Sequence, residues 1–98
     1  MRDDNHISLY EAFLKLDNPD DVKNFLIDLC TPRELKALHE RWDVCQLLND
    51  GNLSYQKISE ITGSSTTTIS RVSRFLNDEP YSGYRKLLDK LQKEKNDV

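Results

Sequence analysis

The 98-residue chain predicts an all-α protein of about six helices containing a helix-turn-helix. Apolar residues recur at three- and four-residue intervals, and there is no sustained alternation of apolar and polar positions. Helix-start signals repeat along the chain, at Asn18-Pro19, Thr31-Pro32-Arg33-Glu34, Ser54 and Ser65.

The first helix is suggested by Leu9, Phe13 and Leu16 and ends before Asp17-Asn18-Pro19. Pro19 then suits the first turn of a second helix, with Asn18 as N-cap, Asp20 and Asp21 complementing the dipole, and Val22, Phe25, Leu26 and Leu29 on one face. Thr31, Pro32 and Glu34 form a capping-box signal for a long helix to about Asn49. At 100° per residue, Leu35, Leu38, Trp42 and Cys45 line one side of it, and Ala37, Val44, Leu47 and Leu48 the other. A helix that is apolar on two sides is buried on two, which in so short a chain points to cover by another subunit. After Asp50-Gly51-Asn52 comes a short helix capped by Ser54 with Ile58 and Ile61 inward, then the turn Thr62-Gly63-Ser64. Ser65 caps the next helix, which runs to about Asn77, and a last helix uses Tyr84, Leu87, Leu88 and Leu91 before fading into the charged tail QKEKNDV. One domain is expected over 1–98, with dimerisation helices in 7–49, the helix-turn-helix in 53–77 and the C-terminal helix in 81–93.

With 32% charged residues, three Gly and three Pro, the composition fits a soluble globular chain rather than a disordered or fibrous one. No apolar run approaches the roughly 18 residues that span a bilayer, and MRDDNHISLYEAF lacks the pattern of a signal peptide, so the expected place is the cytoplasm, away from membranes. Cys30 and Cys45 form no CxxC, and His6 and His39 are poorly placed to complete a metal site; both cysteines read as buried or half-buried free thiols, with no metal and no cofactor. No acid, base and nucleophile converge around His39, so an enzyme is not expected. Trp42, on an apolar stripe, reads as core.

The net charge of −3 argues at first sight against a polyanionic partner, but its distribution differs. Residues 1–50 hold 6 Lys/Arg against 11 Asp/Glu, whereas residues 51–76 hold Lys57, Arg71 and Arg74 against Glu60 alone, a local +2. Within that segment, two short helices joined by a Gly-containing turn describe a helix-turn-helix, the arrangement that sets a second helix in the DNA major groove. Gly63 suits a positive φ. With Ile69 at 0°, Val72 and Leu76 fall at about −60° and −20°, facing inward, while Ser70, Arg74, Thr67 and Arg71 span about 100° to 200°. That outer face can contact phosphates through Arg and the helix N-terminus, and bases through hydroxyls and methyl groups. The partner so indicated is double-stranded DNA; the alternative is a protein-interaction module of the same fold that lacks specific DNA binding.

The span TPRELKALHERWDVCQLLNDGNLSYQKISEITGSSTTTISRVSRFL resembles the core of the Trp repressor, and the chain is similar over residues 7–91 to the Trp-repressor-related YerC/YecD group. The threonine-proline start, the long helix bearing Arg41, the glycine before the hydroxyl-rich helix and the TTISR run at 67–71 carry the likeness. It implies a bacterial regulator, an intertwined homodimer whose paired heads bind a palindromic operator, typically as a repressor. By position, it implies that Thr66, Thr67, Ser70 and Gln56 approach bases and that Ser65, Thr68 and Tyr55 touch phosphates. It also implies an effector pocket with Thr31, Arg41 and Arg71 at the ligand's polar ends. There this chain departs from the pattern, since Val72 and Phe75 stand where small residues make room for an indole. Tryptophan is therefore not expected as corepressor: either Phe75 takes the ligand's place and the heads are permanently set, or a smaller, different effector binds.

Overall fold

The computed structural model describes residues 5–97, and among these it contains six α-helices and no strand: α1 (Leu9–Leu14), α2 (Pro19–Leu29), α3 (Pro32–Asp50), α4 (Tyr55–Thr62), α5 (Thr66–Asn77) and α6 (Gly83–Asn96). The order and number agree with the sequence periodicity. The chain divides into two compact units, Met1–Leu35 and Lys36–Val98.

In the first unit, local capping chemistry explains each helix start. Ser8 caps α1 in a capping box, accepting from the Glu11 N–H at 3.1 Å, a device that the apolar spacing alone does not reveal. Asn18 accepts from the Asp21 N–H at 2.9 Å with Pro19 in the first turn of α2. At the start of α3, the Glu34 carboxylate accepts from the Thr31 N–H at 2.9 Å and the Thr31 hydroxyl accepts from the Glu34 N–H at 3.1 Å. The hydrogen bonds from Thr31, the backbone one foremost, hold the Glu34 carboxyl below its ordinary range. Phe13 of α1 meets Phe25 of α2 edge to face, with ring centroids 5.3 Å apart. Two helices of 6 and 11 residues cannot enclose a core, and neither has a buried residue: Leu9 and Leu29, expected on apolar faces, are 47% and 48% exposed.

The second unit holds the core. Val44 and Cys45 of α3, Ile58 of α4, Ile69, Val72 and Leu76 of α5 and Leu88 of α6 are buried together, with Trp42, Leu47, Leu48 and Tyr84 packed against them. The core centres on α5, which packs on α4 and α6. Ile69, Val72 and Leu76 face inward as their spacing predicts. Ile61 does not: α4 is only eight residues long, Ile58 occupies its one fully covered position, and Ile61 in the last turn is 56% exposed. On α6, Leu88 is buried, but Leu87 and Leu91, expected to pack beside it, are 46% and 43% exposed. The last helix also starts two residues later than expected and runs further. Ser82 sits at φ 61 without a side-chain cap, and the polar C-terminal turns remain helical, with Gln92 donating to Asn96 at 3.2 Å. Arg85 of α6 donates to Asn49 of α3 at 2.9 Å, tying the two ends of the unit together.

Both cysteines are free, Cys45 buried and Cys30 half-buried, as their setting in the sequence predicts. Burial pushes the Cys45 thiol up to about 11. His39 lies exposed on α3.

Gly63 ends α4 at φ 77, its N–H donating to the Ser59 carbonyl at 2.9 Å. The rest of the turn is stitched by side chains. The Thr62 hydroxyl donates to the Ile58 carbonyl at 2.8 Å and accepts from the Ser64 N–H at 3.1 Å, while the Ser59 hydroxyl donates to the Ser64 carbonyl at 2.6 Å. A Cβ at Gly63 would meet nothing within 4 Å. Gly63→Ala therefore carries the conformational cost alone, an expected loss of about 1 kcal/mol that a urea midpoint measures. A larger loss would mean that the turn is packed against something.

Candidate nucleic-acid interface and adjoining cavity

The outward face of α5 is built from its N-terminus. Ser65 caps the helix, accepting from the Thr68 N–H at 3.1 Å and donating to the Thr68 hydroxyl at 3.1 Å, so the Ser65 and Thr68 side chains are partly spent on each other. Thr66, Thr67, Ser70, Arg71 and Arg74 are exposed on the side away from the core, as the helical spacing predicts. On α4, Tyr55 and Gln56 are exposed beside the Ser54 cap, and Lys57 pairs with Glu60 at 3.5 Å. Among the described residues neither Arg71 nor Arg74 has a carboxylate within ion-pair distance. The face thus presents hydroxyls, two unneutralised guanidiniums and the positive end of a helix dipole, groups suited to a polyanion.

The two arginines instead lie over an aromatic ring. The Cζ atoms of Arg71 and Arg74 stand 4.5 Å and 5.1 Å from the Phe75 ring centroid, and Phe75 stacks on Tyr81 with centroids 6.2 Å apart and planes 17° from parallel.

Behind this cluster lies a cavity of about 410 Å³ lined by Leu38, Arg41, Trp42, Arg71, Val72, Phe75, Tyr81, Gly83 and Tyr84. Four of the five residues expected at an effector pocket, Arg41, Arg71, Val72 and Phe75, come together here. Thr31, the fifth, belongs to the other compact unit, where its hydroxyl caps α3. Val72 and Phe75 do not close the space. Val72 is turned into the core, and Phe75 packs against Tyr81, leaving room beside Arg41. Trp42 both packs on the core and lines the cavity. Burial raises the pKa of the Tyr84 phenol, which Cys45 reinforces and Arg41 and Arg71 oppose, so its O–H remains a donor at neutral pH. Tyr81, Gly83 and Tyr84 escape a reading of the sequence because they join the cavity from beyond the turn after α5. Leu38 and Trp42, four residues apart on α3, carry the only local signal of the wall they form. Among the described residues, no group of three His, Cys, Asp or Glu could hold a metal ion, and no helix is long and apolar enough to cross a membrane.

The sequence pattern of the family described as Trp repressor protein matches residues 5–92. YerC, an uncharacterized protein of Bacillus subtilis (strain 168), is 44% identical over 69 residues, which are 70% of this chain; the match spans 65% of that relative's own length. Among solved structures, a TrpR-like protein from Eubacterium eligens is similar with a TM-score of 0.79 at 38% identity, covering 86% of this chain and 84% of that one. A candidate Trp repressor from Staphylococcus aureus is similar with a TM-score of 0.78 at 34% identity, covering 86% and 82%. The family is one of regulators rather than enzymes. With the helix-turn-helix, the six-helix order and the family pattern over residues 5–92 in agreement, the chain belongs to the Trp repressor protein family.

Proposed function

We propose that this protein is a cytoplasmic, homodimeric DNA-binding transcriptional regulator, acting as a repressor by occupying a promoter. The observation that carries the reading is the outer face of α5, where Thr66, Thr67, Ser70, Arg71 and Arg74 stand exposed opposite three buried anchors, with no carboxylate among the described residues within ion-pair distance of the arginines. In the groove, the arginines and the α5 N-terminus with Ser65 and Thr68 take phosphates, together with Tyr55 from α4. Thr66, Thr67, Ser70 and Gln56 face base edges, directly or through water. The relatives described as TrpR-like and as a candidate Trp repressor support a DNA-binding regulator.

Exposed apolar side chains support dimerisation. Leu9, Leu14, Ile27 and Leu29 before α3, Leu38 on it, and Leu87 and Leu91 on α6 are all more than 40% exposed, the kind of apolar side chain that an interface covers. A second copy of the chain covers them in this reading and pairs the heads, setting half-sites one helical turn, roughly 34 Å, apart. The cavity leaves room for a small effector whose anionic end faces Arg41 and Arg71, two of its lining residues.

Selection from a random duplex pool tests the reading. The expected result is an inverted repeat bound with an affinity that falls steeply with salt. Recovery of no repeat, with only weak salt-insensitive binding, would favour a protein-interaction module of the same fold.

A further inference from the structure

We propose that Phe75, braced by Tyr81, is a positioning residue that holds the guanidinium groups of Arg71 and Arg74 in place before DNA arrives. This rests on the DNA-binding reading and adds to it the device that organises its two cations. Phe75 lies one turn after Arg71 and next to Arg74, half-buried at the edge of the inward face of α5, with both Cζ atoms within about 5 Å of its centroid. Tyr81 is 74% exposed yet lies nearly parallel to Phe75. Tyr81 is the aromatic partner that braces the Phe75 ring from the segment after α5.

The choice of a ring as partner matters chemically. A carboxylate would order an arginine by neutralising it, and a phosphate would then have to displace the carboxylate. An aromatic face attracts the guanidinium through its quadrupole but adds no opposite charge, and the N–H donors, which lie in the guanidinium plane, stay available. An unrestrained arginine loses rotamer freedom when it settles on a duplex; one already held on a ring loses less. The clasp therefore raises affinity by preorganisation, with no further contact to DNA.

The test uses the full-length protein and the duplex recovered from the pool selection. In NMR spectra of the free wild type, the Arg71 and Arg74 Nε–H signals are expected at ring-current-shifted positions, returning to free-arginine positions in Phe75→Leu, which keeps apolar bulk but removes the ring face. Phe75→Leu is expected to bind DNA about tenfold more weakly with an unchanged salt slope, since both charges remain, and Phe75→Tyr is expected to restore binding. Tyr81→Ala, at an exposed position, is expected to shift the same signals and weaken binding in the same direction, and keeps the test open if Phe75→Leu folds poorly. Unshifted Nε–H signals in the wild type, or tight binding by both Phe75→Leu and Tyr81→Ala, would overturn the proposal. Shifted signals in a wild type that binds no duplex would overturn the DNA-binding reading, and the positioning role with it.

Discussion

Replacing Arg71 and Arg74 together by Ala is expected to weaken binding to the selected duplex by more than about 100-fold at low salt. Each arginine forfeits a charge-assisted hydrogen bond to phosphate of about 1.5 kcal/mol, and about 3 kcal/mol exceeds two decades in affinity. The double variant also releases fewer counterions, so the slope of log affinity against log salt is expected to become shallower by about 2. Fluorescence anisotropy at four or five salt concentrations reads both quantities. Stability is expected to fall by about 1 kcal/mol, because both side chains are exposed and free of ion pairs in the described structure but lose their contact with the Phe75 ring. An unaltered salt slope would take both residues away from the phosphates.

Ile69→Ala is expected to do the reverse. Ile69 is 0% exposed on the helix that α4 and α6 both pack against, so truncation removes buried apolar surface and leaves a cavity that the surrounding helices cannot close. The expected loss is about 3 kcal/mol, a large part of the roughly 5–15 kcal/mol of a typical domain, and a fall in melting temperature of about 15 °C. Urea and thermal denaturation measure it. At low temperature, the fraction that stays folded is expected to keep the parent salt slope, because the charged face is intact. A variant that melts with the parent would contradict a core centred on α5.

How much of this was legible in the sequence depended on the range of the interaction concerned. Asn18, Thr31, Ser54 and Ser65 cap helices within three residues of themselves, and Gly63 adopts its positive φ through its own backbone, so each could be read locally. The facing of Ile69, Val72 and Leu76 followed from helical period, and the outward placement of Thr67, Ser70, Arg71 and Arg74 followed with it. Period does not say whether anything covers an apolar face, which is why Ile61, Leu87 and Leu91, grouped with buried neighbours by spacing, are exposed. The cavity and the Phe75–Tyr81 stack depend on how the chain returns after α5: Tyr81-Ser82-Gly83 signals a turn, but the positive φ of 61 falls on Ser82 rather than on the glycine. Ser82 carries no side-chain signal of that conformation.

The two cysteines give the molecule a clock. Only a thiolate attacks a disulfide or alkylating reagent, and Cys45 is both shut away from solvent and, with its pKa raised to about 11, almost wholly protonated at neutral pH. Its modification must wait for the packing around α3 and α5 to part, so the rate counts core openings rather than collisions with reagent. Cys30, half-buried at the end of α2, belongs to the other compact unit. A single labelling time course on the unaltered chain thus records how often the core around Cys45 opens, with the partly exposed Cys30 as the faster-labelled internal reference.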